Sequence, residues 1–407
     1  MTGPLGHIRV LDLSRVLAGP WASQVLADYG AEVIKIERPG EGDDTRGWGP
    51  PFITNPDGSR GDAAYYLSAN RGKKSVAVDI AKPEGQGLIR ELAAKSDILL
   101  ENFKVGGLKK YGLDYQSLRQ ANPKLIYCSI TGFGQDGPYA KRAGYDFMIQ
   151  GMGGIMSITG MPDGEPGAGP VKGGVAFADL FTGLYAVSGI LAALVHRERS
   201  GEGQYIDVAL LDSQVAVLAN QGLNYLVSGA SPPRLGNAHP NIVPYQTFAT
   251  KDGHIIITVG TDRQFRELCR IAELGALADD PRFSNNRSRV ENRASLAALI
   301  AKAMIRRATQ EWIDALEAAA IPCGPINSIE QVFGDAQVLH RGMKIELTRA
   351  DGVKTPGIAN PVRLTRTPVS YERAAPSFGA DTDEVLHSLL KLDKDKIAAL
   401  KRSGVVG

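Results

Sequence analysis

The sequence predicts an α/β protein: βαβ units on a parallel sheet, followed by a smaller, separate α+β unit. Three observations carry that expectation. Short β-branched runs alternate with helical patterns over the first 130 residues. A Pro- and Gly-rich stretch then interrupts the chain near 229–245, and beyond it a strand-like run stands among helical patterns. The length agrees, since 407 residues make two or three domains.

Taken in order, 7–14 (HIRVLDLS) reads as a buried strand, 19–29 as a helix stopped by Gly30, and 32–37 (EVIKIE) as a second strand. A third strand at 75–79 leads to a helix at 83–94 with Pro83 in its first turn. Strands at 97–102 and 124–130 flank a helix near 115–120. A Gly-, Pro- and Asp-rich segment, 132–172, contains a helix around 145–152. Leu180, Leu184, Val187, Leu191 and Leu194 recur in steps of four and three, which predicts one buried stripe on a long helix. A strand at 205–210 and a helix at 211–228 follow. Pro232, Pro233, Pro240 and Pro244, with Gly229 and Gly236, mark a linker or long loop. Past it, 253–259 is strand-like, 263–273, 292–305 and 309–319 are helical, and the tail ends in a helix near 382–390.

Composition removes several functions. Hydrophobic residues make up 43% of the chain, enough for a sizeable core. Lys and Arg (46) nearly balance Asp and Glu (44), so no basic face is implied for nucleic acid. Three separated cysteines without a CxxC pair argue against a disulfide framework or a structural zinc site. The start lacks a signal-peptide pattern, and the apolar stretch 180–195 falls short of the roughly 18–20 residues that span a bilayer. The expectation is a soluble cytoplasmic protein. No Walker A, HExxH or GxSxG is present, and the six histidines never pair at ligand spacing, so no metal site is expected.

One carboxylate stands out. Asp179 lies in VAFADLFTGLYAV, where a Gly-rich loop meets the most apolar helical pattern. It suits an N-cap, satisfying the free N–H groups of a helix start. It equally suits a nucleophile at the edge of an apolar core, forming a covalent acyl intermediate. The pattern by itself leaves both open.

Seven segments in order decide what the pattern cannot. They are VLDLSRVLAGPWASQVLADYGAEVIKIERPGEGD at 10–43, NRGKKSVAVDI at 70–80, ENF at 101–103 and TGFGQDGPYAKRAGYDFMIQGMGG at 131–154. GVAFADLFTGLYAVSGILAAL at 174–194, GEGQYIDVALLDS at 201–213 and IPCGPINSIEQV at 321–332 complete them. The chain resembles the class III CoA-transferases, the family of formyl-CoA transferase and the carnitine and bile-acid CoA-transferases.

That resemblance implies a large Rossmann-like CoA-binding domain at 1–200, a linker at 201–245, a small α+β domain at 246–330, and a linker and C-terminal return to the large domain at 331–407. It implies an interlocked homodimer and no permanently bound cofactor, with coenzyme A or acyl-CoA and a carboxylic acid as substrates. Asp179 occupies the position of the nucleophile, which forms an aspartyl anhydride and then an aspartyl-CoA thioester. The CoA-binding positions fall on Val16, Ala18, Arg38, Val78, Asn102, Phe103, Lys110, Arg142 and Tyr145, where Arg and Lys suit phosphates. Lys110 replaces an Arg of formyl-CoA transferase. That enzyme has Gln where Leu17 stands, and a glycine run absent from 234–245 here. The stretch GNAHPNIVPYQTF, with IPCGPINSIEQVFGDAQVLH, looks most like the succinyl-CoA:glutarate CoA-transferases. Leu17, Arg71, Gly236, Asn237 and His239 are therefore the expected substrate-side residues, and a dicarboxylate such as glutarate the expected acceptor. Two alternatives remain. An acyl-CoA racemase or isomerase of the same family would carry His where this chain has Tyr145. A catalytically inactive CoA-binding module would have no need of Asp179.

Overall fold

The computed structural model describes residues 3–407. The chain forms two compact units. One gathers the residues up to 155, 172–230 and 337–407; the other gathers 156–171 and 231–336.

The larger unit holds six strands: β1 (Arg9–Asp12), β2 (Glu32–Glu37), β3 (Lys73–Ala77), β4 (Ile98–Glu101), β5 (Ile126–Thr131) and β6 (Tyr205–Ala209). Every pairing among them is parallel. The order β3-β2-β1-β4-β5-β6 is that of a doubly wound Rossmann sheet, whose direction of winding reverses between β1 and β4. A parallel sheet is covered on both faces, which is why its strands read as continuous apolar runs. Leu11, Ile34, Val76 and Leu99 pack on one face against Leu88, Leu92 and the C-terminal helices Thr382–Leu390 and Lys394–Arg402. Val10, Val33, Ile98 and Ile126 pack on the other face with Ala22, Leu26 and Ile190, from the helices Ala18–Asp28 and Phe177–Ser200.

The Phe177–Ser200 helix departs from two expectations. At 24 residues it is long and apolar enough, by length and composition, to cross a membrane, whereas the sequence marks only 180–195. Its buried face matches the expected stripe only in part: Val187 and Leu194 are buried, together with Ala178, Thr182, Gly183, Ala186, Ile190 and Ala193, while Leu184 is 48% exposed. Close approach is the cause. A Cβ on Gly183 would stand 2.7 Å from the Ala18 carbonyl, so small residues, rather than the leucines, face the neighbouring helix.

Other differences are local. The helix expected over 211–228 is two, Leu210–Ala216 and Ala219–Ser228, broken where Ala219 adopts a φ of 47°. A short hairpin (Phe52–Thr54, Arg60–Ala63) and the terminal helix Lys394–Arg402 have no counterpart in the sequence reading. The second unit carries an antiparallel sheet of Tyr245–Ala249, His254–Thr258 and Cys323–Pro325. Phe265, Leu296, Ile300, Trp312 and Leu316 from its helices form its core.

Candidate active site

In a doubly wound sheet ligands bind beyond the carboxyl ends of the strands, at the point of reversal. The larger unit has a cavity of about 710 Å³ at that place, a size suited to an organic ligand. Its lining follows the strand ends: Leu13 and Arg15 to Ala18 after β1, Arg38 after β2, Val78 to Ala81 after β3, Asn102 to Val105 after β4, and Ile130 to Gly132 at β5. Asp179 and Leu210 add to the wall.

Every expected CoA-binding position lines this cavity: Val16, Ala18, Arg38, Val78, Asn102, Phe103, Lys110, Arg142 and Tyr145. Leu17 joins them. Arg142 and Lys110 have no ion-pair partner among the described residues and lie over aromatic rings. Arg142 lies over the rings of Tyr139 (4.6 Å) and Phe133 (5.3 Å), and Lys110 over Tyr111 (4.5 Å). Arg38 meets Glu41 at 3.0 Å in a mostly exposed pair, which binds weakly. Asn102 is different in kind, because its side chain accepts from Arg15 N–H (2.9 Å) and donates to Arg15 C=O (2.7 Å). It braces the loop after β1.

Asp179 is not an N-cap. The helix begins at Phe177, which places Asp179 in its first turn. Among the described residues no side chain or backbone N–H bonds its carboxylate. Burial first, then the charge of Asp146, pushes its pKa up to about 7. Asp146 itself is anchored: it accepts from Ala178 N–H at 2.8 Å and from the Gln150 amide at 2.8 Å. Gln150, fully buried, also accepts from Gly173 N–H (2.9 Å), so both ends of the turn before Asp179 are tied to one helix, Asp146–Met152. Tyr65 senses the same carboxylates, since burial and then Asp179, Asp146 and Asp43 raise its phenol. Asp146, Gln150 and Tyr65 are surroundings of Asp179 that sequence reasoning missed. The adjacency of Asp146 to Tyr145 was the available signal.

The remaining expectations are Arg71 and the 236–239 segment. Arg71 does not line the cavity. It is buried and spent on Asp28, with Nε–Oδ1 2.8 Å and Nη2–Oδ2 2.6 Å, and on the Ile358 carbonyl at 2.8 Å. It therefore has no free fork for a substrate carboxylate. Gly236, Asn237 and His239 belong to the second unit. Gly236 and Asn237 form a turn, and Gly236 N–H donates to Gly160 C=O at 3.1 Å. His239 Nδ1 accepts from Asn241 N–H at 3.1 Å, and its ring packs on Tyr245. Burial, then Arg293, lowers its pKa.

Comparisons with known proteins show the family and the fold. The sequence model of CoA-transferase family III matches residues 5–382. The succinate–glutarate CoA-transferase of Agrobacterium fabrum is 54% identical over 391 residues, covering 96% of this chain and 97% of that protein. The human succinyl-CoA:glutarate CoA-transferase is 44% identical over 405 residues, covering 99% and 90%. A CAIB/BAIF family protein from Brucella suis, known as a crystal structure, superposes with a TM-score of 0.84 at 51% identity, covering 96% of this chain and all of the other.

Proposed function

The chain belongs to CoA-transferase family III, and from that premise we propose that it moves coenzyme A from succinyl-CoA to a dicarboxylic acid such as glutarate through Asp179. The observation that carries this reading is the position of Asp179 on the wall of the cavity that also gathers the CoA-binding positions. The names of the similar transferases support the two acids.

The chemistry runs in four balanced steps. The Asp179 carboxylate attacks the succinyl thioester carbonyl, expelling CoA thiolate and leaving a mixed anhydride. The thiolate attacks the aspartyl carbonyl, which releases succinate and leaves an aspartyl-CoA thioester. Glutarate then attacks that thioester, regenerating thiolate and a second anhydride. Thiolate attack on its glutaryl carbonyl frees Asp179 and yields glutaryl-CoA. Each step exchanges one acyl bond for another, so no redox partner enters. The ionised form of Asp179 is the nucleophile, and its raised pKa makes it a stronger base and a better attacking group once ionised. Arg38, Lys110 and Arg142 hold the nucleotide phosphates, and Phe103 packs on the thiol arm or the base.

We further propose an interlocked homodimer. Exposed apolar residues support it: Leu184, Tyr185 and Val195 on the long helix, and Leu223, Leu226 and Val227 on Ala219–Ser228. The division into domains at 1–200, 201–245, 246–330 and 331–407, and a cytoplasmic location, remain part of this proposal. Intact-protein mass spectrometry after succinyl-CoA and hydroxylamine tests the chemistry. A hydroxamate on Asp179, absent from Asp179→Ala, is expected; CoA binding without any adduct from several acyl-CoA donors would overturn it.

A further inference from the structure

The segment after β1, LSRVLAG, forms the turn on which five of the cavity's residues sit, and that turn is strained. Val16 has a φ of 71°. A β-branched side chain in the left-handed region clashes with its own backbone. The other non-glycine residues at positive φ among the described residues are Ala219, Glu273, Ala320 and Lys391, none β-branched. Such a conformation persists only where surroundings over-determine it.

Here they do. Ser14 N–H donates to Asp12 Oδ1 at 2.9 Å, and Ser14 C=O accepts from Lys35 Nζ at 2.9 Å. Asn102 takes both backbone groups of Arg15, and Val16 N–H donates to Asp43 Oδ2 at 3.3 Å. Five successive polar groups of the turn are thus held by side chains from outside it. Asp43 alone acts on the strained residue itself, and it is fixed before it does so. Its Oδ2 takes Lys35 Nζ at 2.8 Å with both side chains fully buried. Its Oδ1 takes Thr45 N–H (3.0 Å) and Thr45 Oγ1 (2.6 Å), and its own N–H donates to Glu37 at 2.8 Å.

We propose that Asp43 is a positioning residue of the coenzyme A site, holding the left-handed Val16 turn in the shape that receives the ligand. It touches neither substrate nor the reacting atoms; it acts through Val16. The strain and one hydrogen bond to a charged group are of comparable size, so losing the bond lets the turn relax away from the cavity. This deepens the proposed function, because it rests on the cavity being the CoA site.

The test is a double-mutant cycle of Asp43→Asn and Val16→Gly in the full chain, read by calorimetric CoA affinity beside the melting temperature. Glycine adopts positive φ without penalty. Asp43→Asn is therefore expected to weaken CoA binding about tenfold alone, and threefold or less in the Val16→Gly background. An equal loss of affinity in both backgrounds, whatever happens to the melting temperature, overturns the proposal. Thr45→Val loosens Asp43 while leaving Lys35 its counter-ion, and serves where Asp43→Asn does not fold. Its smaller loss must vanish in the Val16→Gly background; persistence there counts against the proposal. Because the readout is affinity, a wild type that binds CoA but transfers nothing refutes the proposed reaction alone. A wild type that binds no CoA refutes both.

Discussion

Two aspartates of the larger unit have opposite acidities. Asp43 is 1% exposed, and burial by itself would raise its pKa. The charge and hydrogen bond of Lys35, with the two Thr45 donors, outweigh burial and bring it down to about 2. Asp179, half-buried, has no cation and no donor, only the like charge of Asp146, and sits up at about 7. The same side chain is a structural anchor where its charge is compensated and a reactive group where it is not. Asp12 follows Asp43: burial raises it, but Lys73, Lys35 and two serines outweigh that and lower it.

The largest expected effect breaks the reactive side. Asp179→Ala should lower transfer between succinyl-CoA and glutarate by at least about 10³-fold, with CoA affinity by calorimetry changed by no more than about twofold. Loss of both in proportion would show that Asp179 binds rather than reacts.

The next breaks the anchored side. Asp43→Asn leaves Lys35 buried beside a neutral amide, and should cost about 3 kcal/mol of stability in urea unfolding. The folded pKa of Asp43 is depressed, so its contribution is complete above the ordinary carboxyl value of 3.8 and disappears as pH falls through about 2. Wild type and variant should converge in strong acid and differ fully at pH 6.

The acidity of Asp179 itself supplies a third. Its folded pKa is raised, so the penalty is absent below about pH 4 and complete above about 7. Asp179→Asn should thus be more stable than wild type at pH 8, by about 2 kcal/mol after allowance for solvent at its edge, and equal to it at pH 4. Over the same range kcat/KM for succinyl-CoA should climb as the carboxylate forms and level above about 7. Asp146→Asn should move that inflection to lower pH by a fraction of a unit, since burial is the larger cause. An inflection that stays in place in Asp146→Asn would remove Asp146 from the account.

The smallest concerns the cavity rim. Arg142→Ala and Lys110→Ala should each raise the KM for succinyl-CoA about three- to tenfold with kcat unchanged, the effect shrinking at 0.5 M salt as screening grows. Arg71→Met should lower stability, because Asp28 loses its partner, while the KM for glutarate stays the same.

How far the sequence reaches is visible in particular residues. The six strands and most of the helices of the larger unit are legible because burial on two faces leaves apolar runs, and helices between them leave a 3.6-residue period. The cavity positions are legible through the resemblance, and Val16, Arg38, Val78, Asn102 and Phe103 fall soon after strand ends. Lys35, Asp43 and Lys73 were not singled out as buried, because charged residues are presumed exposed and only their mutual contact makes burial tolerable. Leu184 misleads for a related reason: periodicity shows that a helix has an apolar face, but not which of two apolar faces the rest of the fold takes. Arg71 misleads because a free guanidinium and a committed one have the same letter.

The sequence by itself therefore determined the class of fold, the family and the one carboxylate on which the proposed chemistry turns. These depend on local period and on motif order, which the chain carries along its length. The tertiary structure alone decided that Val16 adopts a left-handed backbone, that Asp43 is silenced by Lys35, and that Asp179 is left without a cation. Those outcomes depend on distances between side chains from different strands, and electrostatic interaction in a buried site is set by such distances rather than by separation in sequence.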